Sequence, residues 1–218
     1  MPNLVSIIIP CYNVSSYIKE TINSVLTQTF QNFEIIVIND GSTDQSSEII
    51  KTIKHDRIHL VEQENQGVSF SRNKGIAMSK GEFIVFLDSD DILHPNFLER
   101  RIFTLKKSAA IASASNVVLI DGKGNKIEEN KKHFAANKSS QILEFNDGIV
   151  TCPSSYLFKT EFLKKHKITF NKNLQSSADK YFLLEVLKQG EIELINESPM
   201  YYRVLGGSMS HKNHEKPS

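Results

Sequence analysis

A chain of 218 residues has room for one substantial core, and its 23% charged side chains and formal net charge of +1 exclude both a global pull on nucleic acid and an acidic interaction tail. Cys11 and Cys152 are the only cysteines, and no Cys-x-x-Cys pair points to a metal or redox site, so a reduced, cytoplasmic setting is expected. The apolar run at residues 4–9 lacks a basic leader, and no later stretch approaches a membrane span, which predicts a soluble or at most peripheral protein.

Residues 5–9 are almost all β-branched and read as a buried strand that stops at Pro10, because proline cannot donate to a sheet ladder. The turn Cys11-Tyr12-Asn13 follows. Ile18, Ile22, Val25, Leu26 and Thr29 then recur at helical spacing and predict an amphipathic helix. Residues 33–39 predict a second buried strand that runs into Asp40-Gly41-Ser42-Thr43-Asp44. Ser42, with Gln45 three residues on, matches a capping box, so a helix is expected from there to about Lys54. Asp40 then falls on the strand-to-helix loop, where an Asp-Gly pair also serves as ordinary turn chemistry. A short third strand is expected at residues 58–61 and a polar loop at residues 64–67. A helix at residues 68–79 follows, with Ser71, Gly75, Ala77 and Ser79 small enough for close packing on strands. Arg72 and Lys74 in that helix are either solvent-facing charges or partners of phosphate and base.

Gly81 opens the next segment. Phe83-Ile84-Val85-Phe86-Leu87 reads as a strand buried on both faces, and it ends in Asp88, Asp90 and Asp91. Three carboxylates so close repel one another, increasingly as the surroundings become less aqueous. A divalent cation relieves that repulsion, and carboxylate oxygens beside a polyphosphate suit magnesium or manganese. The alternative is a solvated acidic turn leading to Pro95, with Asp91 helping to start a helix. Four strands alternating with three helices predict an α/β, Rossmann-like, mostly parallel sheet flanked by helices. Such sheets bind ligands at the carboxyl ends of their strands. Tyr12, Asn13, Asp40 and the acidic run all fall at those ends.

Leu98, Ile102 and Leu105 mark a further helix, residues 111–120 a strand, and Asp121-Gly122-Lys123-Gly124-Asn125 a turn. Residues 128–140 are polar, lysine-rich and aperiodic, which predicts a mobile loop. Residues 151–159 read as extended. The run Lys164-Lys165-His166-Lys167 is either solvated surface or a contact for an anionic membrane. Phe182, Leu183, Val186 and Leu187 predict a helix that ends at Gly190 with Asp179 at its start. Aspartate there is a common cap, although Ser176 and Ser177 cap equally well and leave the acid free. Residues 192–195 and 200–204 read as two late strands, and residues 206–218 as a flexible tail.

Taken together, residues 6–13, residues 38–44, Asn65 to Ser69 with Ser71-Arg72-Asn73, and Gly81 to Asp91 resemble the inverting family-two glycosyltransferases of the GT-A fold. Asp179, Tyr201-Tyr202-Arg203 and Ser208-Met209-Ser210 match more loosely. The resemblance implies one GT-A domain over residues 1–205, with a nucleotide-binding half (1–95) and an acceptor half (96–205), and residues 206–218 as tail. It also implies that Pro10, Tyr12 and Asp40 line the base pocket of a uridine-type nucleotide, with Arg72 nearby. Asn13 and Ser89 join the nucleotide-binding set, Asp88 faces the ribose, and Asp90 ligates a Mn2+ or Mg2+ ion that bridges the two phosphates. Asp179 is similar in position to the family's catalytic base.

The implied activity is metal-assisted, inverting transfer from a UDP-sugar to a saccharide or lipid-linked saccharide acceptor, in bacterial surface glycan synthesis. The implied setting is cytoplasmic, with peripheral association at the inner face of the cell membrane and no nucleic-acid partner. Ala178 stands where the family commonly has Glu, and Leu205 where a histidine is frequent. Relatives often continue beyond the equivalent of Ser210, so an acceptor-binding or membrane-associating portion is expected to be absent. The alternative is a catalytically weak or inactive sugar-nucleotide-binding protein. A dinucleotide-dependent oxidoreductase is disfavoured because no Gly-x-Gly-x-x-Gly turn follows the first strand.

Overall fold

The β-branched runs of the N-terminal half become four parallel strands in the computed structural model, which describes residues 3–129, 152–174 and 177–205. In chain order the elements are β1 (Val5–Cys11), α1 (Ile18–Leu26), β2 (Phe33–Asp40), α2 (Ser46–Thr52), β3 (Ile58–Gln63), α3 (Val68–Met78) and β4 (Phe83–Phe86). The strands lie side by side as β3-β2-β1-β4. Their side chains divide by the two-residue period of a strand. Val5, Ile7 and Ile9 of β1 enter one apolar cluster with Ile18, Ile22 and Val25 of α1, while Ile8 enters another with Ile76 of α3. Both faces are therefore dry, which is why the strands read as continuous apolar runs rather than alternating ones.

Close approach of α3 depends on Gly75. A β-carbon there would lie 2.3 Å from Cγ2 of Ile8, so a larger residue would push the helix off the sheet.

Two local expectations are corrected. β1 does not stop at Pro10 but continues through it to Cys11, paired with β2. The Pro10 nitrogen faces the β4 side, where pairing has already ended at Ile8↔Phe86, so the missing N–H costs no ladder bond. The capping box at Ser42 does not form, and α2 begins only at Ser46. Ser42 Oγ instead accepts the Asn13 N–H (3.1 Å), and Asp44 Oδ1 accepts the Ser46 N–H (2.9 Å). Ties to the preceding loop outcompete the local helix start.

The remaining elements are β5 (Ile92–Leu93), α4 (Phe97–Lys107), β6 (Ala112–Ile120), β7 (Lys126–Glu129), a 3-10 turn (Pro153–Ser155), β8 (Tyr156–Lys159), α5 (Thr160–Lys165), α6 (Ala178–Leu187) and β9 (Ile192–Arg203). They extend the sheet as β4-β8-β6-β9-β5, with β7 on β6. Here parallel and antiparallel pairs mix: β8 is antiparallel to β4 and β6, whereas β9 is parallel to β6. The two late strands expected from sequence are one strand with an irregularity. Register against β6 moves from Ser115↔Ile195 to Val117↔Met200, so residues 196–199 lie opposite Asn116 alone.

Residues 128 and 129 belong to β7 rather than to a loop; residues 130–151 and 206–218 lie outside the described residues, as does Ser176. The extended stretch at 151–159 is broken by the 3-10 turn. The basic run is partly spent in the fold, because Lys164 Nζ donates to the Ser79 carbonyl (2.9 Å). Among the described residues no helix is long and apolar enough to cross a membrane.

Four phenylalanines, Phe86, Phe158, Phe170 and Phe182, join the halves beneath the sheet's carboxyl edge, with Phe170 and Phe182 stacked at 4.1 Å between ring centroids. Each such side chain contributes about 1.5–3 kcal/mol on burial. The rim above them rests on a rigid apolar floor.

Candidate active site

β2 delivers Asp40 as its last residue rather than as a loop residue. Gly41 follows at φ +74°, a left-handed conformation that turns the chain sharply where a side chain would be strained. Asp40 is 3% exposed, and its carboxylate is filled by protein donors. Oδ1 accepts from Gln63 Nε2 (2.7 Å) and the Gln66 N–H (2.9 Å), and Oδ2 accepts from the Gly67 N–H (2.8 Å). Gln63 in turn accepts from Lys74 Nζ (2.9 Å) and donates to Ser71 Oγ (3.3 Å), which fastens the loop after β3 to α3. Asn13 plays a similar bracing part. Held at φ +52°, it accepts the N–H groups of Thr43 (2.8 Å) and Asp44 (3.3 Å) through Oδ1. Beside it Tyr12 is 49% exposed, next to the buried Pro10.

The acidic loop after β4 is built differently. Asp88 donates its N–H to Ser154 Oγ (3.1 Å) and accepts from Arg72 Nη2 at Oδ1 (2.7 Å). The same guanidinium donates through Nη1 to Asp179 Oδ1 (2.6 Å). Arg72 is therefore not a solvent-facing charge. It is 3% exposed and lies over the Phe170 ring. Its fork spans the two halves of the chain, committed to Asp88 and Asp179 rather than to Asp40. Burial lowers the proton affinity of Arg72, but Asp88 and Asp179 overcome this and hold the guanidinium firmly charged. Burial raises the pKa of Asp179, and Arg72 counters that rise.

Ser89 is buried and its carbonyl accepts from Thr21 Oγ1 (2.9 Å), which ties the loop to α1. Burial and the Asp88 charge push Asp90 up to about 6. Asp91 is 1% exposed and carried well above the usual carboxylate range by burial and by its two acidic neighbours. Its Oδ1 accepts the Arg203 N–H (2.9 Å), and its Oδ2 has no partner among the described residues. Asp91 does not start a helix; α4 begins at Phe97, with Asn96 at its cap.

Arg203 is the residue to which sequence reasoning gave no role. It is 2% exposed, donates through Nε to the Asp90 carbonyl (2.8 Å) and through Nη2 to Glu20 Oε2 (2.7 Å), and reaches the carbonyls of Asp121 (3.1 Å) and Gly122 (3.3 Å). The signal was a charged residue closing an apolar strand behind two tyrosines. It holds the acidic loop in place from the far end of the chain.

Arg72, Asp88 and Asp179 thus meet directly, and Asp90 and Asp91 crowd the same rim. Asp40 belongs to a neighbouring network that ends on Ser71, the residue before Arg72 on α3. The rim is short of positive charge: one buried carboxylate oxygen is orphaned, and Asp90, Asp91 and Asp179 all resist ionising. Asp88, Asp91 and Cys152 present ligand atoms all within 4.8 Å of one another. Asp88 and Asp90, which feel each other's charge and offer oxygen alone, fit magnesium or manganese, whereas the set that includes the thiol fits a softer divalent ion.

Comparison with other proteins bears on this arrangement. Residues 6–171 match the model described as glycosyl transferase family 2. An uncharacterized glycosyltransferase of Rickettsia bellii is 34% identical over 98% of this chain, which spans 31% of that relative. Glycosyltransferase GlyG of Streptococcus pneumoniae is 29% identical over 96% of the chain and 73% of its own length. Among solved structures, S. aureus TarS residues 1–349 in complex with UDP is 25% identical with a TM-score of 0.77, covering 92% of this chain and 60% of that one. The complex of the same protein with UDP-GlcNAc has a TM-score of 0.80 at 24% identity, over 93% and 59% of the two chains. The chain thus spans about a third of the Rickettsia relative and about three-fifths of the TarS chain. The mixed sheet, parallel in its N-terminal half and flanked by helices, is a GT-A fold, and the chain belongs to glycosyl transferase family 2.

Proposed function

We propose that this chain transfers a sugar from a UDP-sugar to an acceptor hydroxyl with inversion, assisted by a divalent cation. The observation that carries the reading is the Arg72 fork, which links Asp88 after β4 to Asp179 at the start of α6. A TarS chain of the same fold was solved with UDP, which supports a uridine nucleotide as the donor's carrier. Pro10 and Tyr12 line the base pocket and Asp40 forms its wall by holding the loop after β3 in place, while Tyr12 offers an exposed ring for stacking and Asn13 braces the loop behind it. Asp88 and Ser89 face the ribose side, and Arg72 fixes Asp88. Residues 1–205 act as one unit, with residues 1–95 binding the nucleotide and residues 96–205 the acceptor.

Asp90, with Asp88 beside it, would hold Mn2+ or Mg2+; when bound, the ion neutralises charge on the departing diphosphate. Asp179 takes the proton from the acceptor hydroxyl as it attacks the anomeric carbon from the face opposite the diphosphate. One displacement of this kind inverts configuration and needs no covalent enzyme intermediate. Burial raises the proton affinity of Asp179, as suits a base, and Arg72 offsets part of that rise while fixing the carboxylate in place. The acceptor is a saccharide or lipid-linked saccharide in surface glycan synthesis, reached from the cytoplasmic side of the membrane, with the exposed Lys165 and Lys167 available to anionic headgroups.

A UDP-release assay over a panel of UDP-sugars with Mn2+ tests the reading. Release that disappears in Asp179→Asn supports it, and no release with any donor overturns it. Ala178, next to Asp179, favours the second reading, a sugar-nucleotide-binding protein with little turnover. That reading requires UDP to bind the wild type tightly while no donor is cleaved.

A further inference from the structure

Cys152 has no part in the proposed transfer, yet its thiol lies against the acidic rim. Its Sγ is 3.9 Å from Asp88 Oδ2. That sulfur, an Asp88 oxygen and an Asp91 oxygen all fall within 4.8 Å of one another. Asp91 is 1% exposed and leaves Oδ2 without a partner among the described residues, which is costly for a polar atom unless something else completes it. Asp88 is fixed from behind by Arg72 and by Ser154 Oγ, and Asp91 by the Arg203 N–H, so both carboxylates are positioned before any ligand arrives.

We propose that Asp88, Asp91 and Cys152 form a site for a thiophilic divalent ion, zinc being the physiological example, distinct from the Asp90 site for the hard cation. Magnesium and manganese prefer sets made of oxygen alone, whereas a thiolate with two carboxylates selects zinc or its spectroscopic substitute cobalt. Zinc bonds of about 2.3 Å to sulfur and about 2.0 Å to oxygen place tetrahedral donors roughly 3.5 Å apart, so the Cys152–Asp88 pair at 3.9 Å is nearly in place and the set, within 4.8 Å overall, closes by side-chain rotation. Three protein donors leave a fourth position open. Binding releases the Cys152 thiol proton to solvent, and the ion's two positive charges meet a rim that lacks them. Because Asp88 serves both sites, an ion held on Cys152 opposes donor binding. The site is thus a point of inhibition by soft metals.

Cobalt titration followed by absorption is the test. The expected result is a thiolate-to-cobalt charge-transfer band in the wild type, lost in Cys152→Ser, retained in Asp90→Asn, and bleached by one equivalent of zinc. No band in the wild type overturns the proposal, as does a band that survives Cys152→Ser. Loss of the band in folded Asp90→Asn would also overturn it, since the ion would then occupy the hard-cation site. Calorimetry of UDP with Mn2+ on zinc-free wild type reports separately on the proposed transferase, so the two readings fail independently.

Discussion

Asp40 and Asp91 are buried to nearly the same degree at the same edge of one sheet, but the protein treats them in opposite ways. Asp40 receives a side-chain amide and two backbone N–H groups and fastens the loop after β3 to the sheet. Asp91 receives one backbone N–H, keeps an oxygen unpaired, and shares its surroundings with Asp88 and Asp90. Burial alone does not say what a carboxylate is for. The inventory of donors around it says more: an acid whose oxygens are all taken fixes the backbone around it, whereas a group of under-satisfied acids has room for the cation proposed above.

The largest effect is expected on the acceptor side of the Arg72 fork. Asp179→Asn removes the proposed proton acceptor and lowers turnover by about 10²–10⁴-fold, measured as UDP release at saturating donor. Its effect on the urea midpoint is small, because the carboxylate is 35% exposed and Arg72 keeps Asp88. A variant that unfolds instead would make Asp179 a structural residue like Asp40.

Next come the two acids of the comparison. Asp40→Asn sets an amide group against donors and loses charge-assisted bonds, at a cost of about 1.5–3 kcal/mol in urea unfolding. Asp91→Asn, measured without metal, is expected to cost less, because Oδ1 keeps its donor and the new amide N–H group faces the acidic neighbours Asp88 and Asp90. Equal losses would break the contrast. Gly75→Ala, on the helix that carries Arg72, is expected to cost about 1–3 kcal/mol by overpacking against Ile8 and to weaken UDP binding as α3 shifts.

The smallest effect is a dependence on pH in metal-free protein. Asp90 keeps its proton to about pH 6 in the fold, whereas an unfolded aspartate releases it near 3.9. Within that window the folded state binds more protons, so this group's contribution to stability is fully present below about 4 and is lost as pH rises through 6. Thermal midpoints between pH 4.5 and 7 should reveal it, and Asp90→Asn should flatten that part of the profile.

The N-terminal half was legible because strands buried on both faces announce themselves as unbroken β-branched runs, and because its polar residues sit where parallel strands end. Pro10 and Ser42 misled only locally: each was read by its intrinsic preference, and a neighbour in space, β2 or Asn13, decided otherwise. Arg72 was named in sequence but its partner was not visible, since Asp179 lies 107 positions away and nothing local pairs them. Arg203 was quoted only as part of a loose motif and its role was missed for the same reason, its carboxylate partner being Glu20, 183 positions away. The interrupted β9 read as two strands because residues 196–199 carry no periodicity, and only β6 beside it keeps them in one element. Long-range ion pairs and sheet neighbours are what a single sequence does not display.

Calorimetry of UDP binding with and without Mn2+, on wild type and Asp90→Asn, reaches the heart of the matter. The expected outcome is tight binding only with the ion, weakening below about pH 6 as protons compete for Asp90, and lost in the variant. Metal-independent UDP binding of equal strength in both proteins would contradict the claim that the acidic rim is completed by a cation and a diphosphate.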